Sequence, residues 1–210
     1  MRGEAEPRFT DFMRYVDATT GRLYDLIAAL VPIERVPSLL ARYEAANATR
    51  RAAYEAPWTE AVIRVLETEE YRRREGPHEP GEIARMLKID SPQEERALRL
   101  LLQGGVITES DGRYKLSANG SVDTRGDRAR VNALLAHWLE TARQRVQDRS
   151  DADFYAYSLA GLSSANVDAA REILRRAFRE IRALAATTQP CDEVALINLQ
   201  LLPLLLERRG

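Results

Sequence analysis

Apolar residues recur at helical spacing through most of the chain, and the intervals between them predict a mainly helical protein. Residues 9–31 carry two sets, Phe9, Phe12, Met13 and Val16, then Leu23, Leu26, Ile27 and Leu30, with a natural break between Asp17 and Gly21. Pro32 ends that segment, and residues 36–55 continue as a charged, Ala-rich helix with Leu39, Leu40, Tyr43 and Ala46 on one side. Pro57 stops it. WTEAVIRVLETEEYRR then reads as one helix from residue 58, with Ala61, Val62, Val65 and Leu66 as its inner face.

After the loop EGPHEP comes the short helix PGEIARMLKI, with Pro80 near its first turn. SPQEERALRLLLQGG is a third helix of this group. Ser91 is its expected N-cap, Ala97, Leu98, Leu101 and Leu102 face inwards, and Gly104-Gly105 stop it. Asp111-Gly112 between two short alternating runs, Val106 to Glu109 and Arg113 to Leu116, predicts a tight hairpin. Three helices followed by a hairpin is the order of a winged helix-turn-helix.

Beyond a polar stretch at 121–127, a helix is expected over 128–147, with Val131, Leu134, Leu135, Trp138, Leu139 and Ala142 on its apolar side. FYAYSLAG (154–161) reads as a strand. A long helix follows, capped by Ser163 or Ser164 and running to about Thr187, with Ile173, Leu174, Ala177, Phe178, Ile181 and Leu184 inside. EVALINLQLLPLL reads as a second strand. Two strands alone are marginal, so a homodimer that completes the sheet is expected. The reading is mainly α with small β, in three parts: 1–56, an N-terminal helical segment; 57–120, the winged unit; and 121–210, an α-β-α-β module for dimerisation or sensing.

Composition changes this picture little. The 210 residues hold 31 basic and 32 acidic side chains, so there is no strong global charge to draw nucleic acid. The single cysteine, Cys191, rules out an internal disulfide and fits a reducing compartment. The start MRGEAEPRFTDF has no apolar run, and LINLQLLPLLL is about half the roughly 20 residues a membrane helix needs. A cytoplasmic protein with no membrane segment is expected.

Candidate chemistry is sparse. His78 lies in a Pro-rich loop and His137 beside Trp138 on a helix, where an edge position is a simpler reading than catalysis. Cys191 reads as packing, and Tyr155 and Tyr157 as core or interface residues. No ligand spacing suits a metal, and no glycine-rich loop follows a strand. No catalytic residue, metal or cofactor is assigned, and an enzyme is not expected.

DNA is the candidate partner. Gln93, Arg96 and Arg99 fall near one outward stripe of the third helix, where Arg and Gln can read base edges. Arg113 and Lys115 sit on the hairpin, suited to phosphate. Against this, residues 57–120 sum to a net charge of −2, and Glu94 and Glu95 occupy the first turn of the same helix. The competing expectation is a dimerisation and protein-interaction body with no DNA contact of its own.

Several stretches carry a family resemblance: AYEAPWTEAVIRVLE (53–67), IARMLKI (83–89) with EERALRLLLQGGVI (94–107), SVDTR (121–125), FYAYSLAGLS (154–163) and PCDEVALINLQLLPL (190–204). In them the chain resembles the DUF4423 family of bacterial proteins, from about residue 20 onwards. The resemblance implies a transcriptional regulator. It also implies a preceding helix-turn-helix of the phage-repressor (XRE) type. RGEAEPRFTDFMRYVDA (2–18) looks like the stretch just after that module, so most of the module is expected to be lacking here.

Overall fold

The computed structural model describes residues 8–20, 23–117 and 127–205. Helix α1 spans Phe9–Thr20, α2 Leu23–Leu30, and a 3-10 turn covers Ile33–Arg35. Helix α3 is Pro37–Glu55, with proline in its first turn, where a missing N–H costs little. Its buried residues are Thr49, Ala52 and Ala53, small enough for close helix approach. Helix α4, Trp58–Glu67, buries Thr59, Val62, Ile63, Val65 and Leu66. The one long helix expected from Trp58 breaks at Thr68. That threonine's hydroxyl donates to the Val65 carbonyl at 2.7 Å and accepts from the Tyr71 N–H at 3.3 Å, which caps a separate short helix, α5 (Glu69–Arg73).

Helix α6 is Glu82–Leu87 and α7 is Ser91–Gln103. The cap of α7 lies one residue earlier than expected, at Asp90, whose N–H donates to Gln93 Oε1 at 3.0 Å. Strands β1 (Ile107–Ser110) and β2 (Arg113–Leu116) pair antiparallel, with Ser110 opposite Arg113. Asp111 and Gly112 both have positive φ, 55° and 71°, as a two-residue turn matched to strand twist requires. A Cβ on Gly112 would also come within 2.8 Å of Pro77 Cβ.

The core gathers Val62, Ile63, Leu66, Tyr71, Ile83 and Leu101 with their neighbours from α3, α4, α6, α7 and β1. Leu102 is not part of it; its side chain is 36% exposed. Val194 packs against the same core, and Cys191 bridges Thr68, with the Glu69 N–H donating to the Cys191 carbonyl at 2.9 Å. The chain divides into two compact units, Met1–His137 with Gln189–Ala195, and Trp138–Thr188 with Leu196–Gly210.

Helices α8 (Arg128–Gln147) and α9 (Ser164–Thr187) match expectation, and Ser163 caps α9 by accepting from the Asn166 N–H at 3.2 Å. The two expected C-terminal strands differ. Residues 154–161 and 192–204 are neither helix nor strand, so the small β content observed among the described residues is the β1–β2 hairpin. The physical reason is the lack of a ladder partner. Phe154, Tyr157 and Leu159 are 89%, 95% and 82% exposed. The inner residues expected for α9 are not buried either, and α8 buries only Leu134. The SVDTR stretch, most of the polar linker and residues 2–7 lie outside the described residues.

Candidate nucleic-acid interface

The outer surface of α7 follows from its core face. Ala97, Leu98 and Leu101 point inwards, so Pro92, Arg96, Arg99 and Gln103, spaced by four, three and four, lie on the opposite side. Arg96 and Arg99 are exposed and form no ion pair among the described residues. Gln103 extends the stripe; sequence reading passed over it, although the same spacing marks it. Gln93 is exposed, but its side-chain oxygen is engaged by the Asp90 N–H. Glu95 is exposed on the flank of the stripe nearer Leu102.

Glu94 does not lie on this surface. It is 2% exposed and points back to the start of α6. There Gly81 has φ of 82° and no side chain to cap the helix. Glu94 supplies the missing acceptor: Oε1 takes the Gly81 N–H at 3.0 Å and Oε2 takes the Ala84 N–H. A carboxylate at a helix N-terminus is favoured by the unpaired N–H groups and the dipole. His78 Nε2 lies 3.0 Å from the same Oε1. The angle between α6 and α7 is therefore fixed by a charged side chain that reads, in sequence, as surface acid.

Arg113 also turns inwards. Its side chain is only 13% exposed, and Nη1 donates to both oxygens of Glu82, at 3.0 and 2.9 Å. Nη2 donates to the Tyr71 carbonyl at 2.6 Å, and the guanidinium sits 4.0 Å from the Tyr71 ring centroid. Glu82, itself 2% exposed, lies 3.4 Å from His78 Nδ1. Tyr71 Oη accepts from the Tyr114 N–H at 3.4 Å and lies 3.4 Å from His78 Nδ1. Burial pushes the Tyr71 phenol above its usual pKa, and burial does the same to Tyr114. These groups join β2 to α5, α6 and α7, and they hold the hairpin against the helices.

Of the five residues singled out for DNA, Arg96, Arg99 and Lys115 are exposed and unengaged among the described residues. Gln93 serves a cap, and Arg113 serves the buried network. Nothing in the linear pattern shows this second role, because the Tyr71–Arg113 and Glu82–Arg113 contacts span 42 and 31 positions. Among the described residues no cluster of three or more His, Cys, Asp or Glu could hold a metal ion. No helix among them is long and apolar enough to cross a membrane. His137, stacked edge-on with Trp58 at 5.5 Å, has its pKa lowered by burial.

A family model described as a domain of unknown function, DUF4423, matches residues 49–204. In searches of curated proteins and of solved structures nothing matches.

Proposed function

The chain belongs to the DUF4423 family, and from that premise we propose that it is a transcriptional regulator. In this reading α6, α7 and the hairpin act as a winged helix-turn-helix on duplex DNA, with the C-terminal module dimerising. It is a reading of a non-catalytic cytoplasmic protein. The observation that supports it is the outward face of α7, where Arg96, Arg99 and Gln103 align and one of the two acids at the start of the helix, Glu94, is folded away. The net charge of −2 over residues 57–120 includes Glu82, Glu94 and Arg113, all turned inwards and partnered, so the balance left for a phosphate to meet is nine basic against ten acidic side chains, or −1. Arg and Gln side chains offer bidentate hydrogen bonds to guanine and adenine edges. Lys115 on the hairpin is suited to the backbone.

Fluorescence anisotropy of the chain against its own upstream DNA and a scrambled duplex, at two salt concentrations, tests this. Binding that prefers its own sequence and weakens with salt is expected. Arg96→Glu with Arg99→Glu should weaken it at least tenfold and flatten the salt slope by about 2, roughly one unit per lost cationic contact. Helix content should stay unchanged by circular dichroism. Equal binding by the folded double variant would remove α7 from the account.

Glu95, exposed beside the stripe, favours a second reading: a protein-interaction body with no DNA contact. In that case the chain binds neither duplex even at low salt.

A further inference from the structure

Among the described residues, the longest helix, α9, has an apolar face with no helix packed along it. Along α9 the apolar positions Val167, Ala170, Leu174, Ala177, Ile181 and Leu184 are spaced three, four, three, four and three apart. That is about two and a half heptads of an a/d seam, roughly five helical turns, the pattern that requires another helix alongside. Yet α9 fully buries no residue: Val167, Ala170, Leu174, Ala177 and Ile181 are only half-buried, and Leu184 at the end of the seam is 69% exposed. Among the described residues it has no extended packing against another helix. Charged residues such as Asp168, Glu172, Arg175 and Arg179 stay off the seam, so the half-buried stripe is not a solvated face.

We propose that α9 pairs antiparallel with α9 of a second copy of this chain, about a two-fold axis passing between Arg175 and Arg176. The inference rests on the dimeric half of the reading above and is independent of its DNA half. The side-chain sizes select both the occupant and the direction. Turned end for end on itself, the seam sets Val167 against Leu184, Ala170 against Ile181 and Leu174 against Ala177 of the second copy. Each alanine then meets a large side chain, and core volume stays even from layer to layer. In the parallel alternative, Ala170 would face Ala170 and Ala177 would face Ala177, leaving two thin layers with voids that cost stability. Antiparallel packing also sets opposite helix dipole ends together.

The amount of uncovered apolar surface in this unit fits a dimer. Phe154 and Tyr157, at 89% and 95% exposed, alone hold about 300–400 Å² on the basis of 150–250 Å² per aromatic side chain. Monomers rarely expose more than a few hundred Å² in one patch, and each partner of a stable dimer covers about 800 Å². The part of α8 in this unit adds Leu139, Ala142 and Val146 at intervals of three and four, with Leu139 and Val146 40% and 49% exposed.

The test is sedimentation equilibrium of the full chain combined with cysteine cross-linking in a Cys191→Ser background. The chain should sediment as a dimer, and Leu174→Asp with Ile181→Asp should raise its dissociation constant at least tenfold. Under oxidation, Val167→Cys alone and Leu184→Cys alone should not cross-link, whereas the chain carrying both should. The cross-links are read in well-folded dimers even if the Asp variant fails to fold. A monomeric wild-type chain would overturn the proposal and the dimeric reading together. A dimer cross-linked by a single cysteine, or one untouched by the folded Asp variant, would overturn the α9 pairing and leave the dimer standing.

Discussion

Glu94 shows how much a single side chain decides. It serves two backbone N–H groups at the start of α6 and faces His78, all away from water. Glu94→Ala leaves those groups buried without their acceptor, and the expected loss is about 3–5 kcal/mol, as when one member of a buried charged set is removed. Urea denaturation with an unchanged slope would record it. The phenols beside it give a pH signature. Burial raises the pKa of Tyr71 and Tyr114, so the unfolded chain releases these protons first. Their contribution is fully present below the ordinary value of 10.0 and is lost as pH rises through it towards the folded values. Only Lys88 and Lys115 are lysines, which keeps that window clear of most other groups. The thermal midpoint should fall between pH 9.5 and pH 11, and Tyr71→Phe should flatten the fall. A fall of the same size in the variant would place its cause elsewhere.

At the level of elements, the hairpin was legible because Asp111-Gly112 permits the two positive φ angles its turn demands. Helix α7 was legible from its apolar spacing, down to Ala97, Leu98 and Leu101, and α8 and α9 were found with their ends in place. The break between α4 and α5 was not. Thr68 sits in a run of good helix formers, and what interrupts them is a bridge to Cys191, far along the chain. Thr68→Ala removes the cap of α5, and a loss of about 1 kcal/mol in denaturant unfolding is expected. An unchanged midpoint would show that the Cys191 backbone alone keeps the helices apart. The candidate interface was half legible: Arg96 and Arg99 lie where periodicity puts them. Arg113 and Glu94 have surface-like sequence contexts but tertiary partners that periodicity cannot reveal. The C-terminal strands failed for a related reason, since alternation marks a segment able to pair without supplying what it pairs with.

The whole molecule divides its hydrophobic resources unevenly. The unit containing α3 to α7 buries a continuous core, whereas the unit containing the second half of α8 and all of α9 leaves Leu159, Leu184 and Leu202 more than two-thirds exposed. Stability should therefore depend on protein concentration, because association feeds into folding by mass action. A thermal midpoint that rises over a hundredfold increase in concentration is expected by scanning calorimetry. A constant midpoint would mean the second unit is stable without association.

The bridge between Thr68 and Cys191 has a consequence in time as well as in space. The first unit takes residues 189–195 back into itself, with Val194 on its core. During synthesis α3 to α7 and the hairpin emerge with that seat vacant, and they wait until residues 138–188 have been made. The nascent chain thus keeps an unfinished edge beside α4 and α5 while α9 and the exposed Phe154, Tyr157 and Leu159 are being added. A chain stopped short of residue 189 would carry that edge permanently, which ties the fate of the first unit to synthesis through residues 138–188.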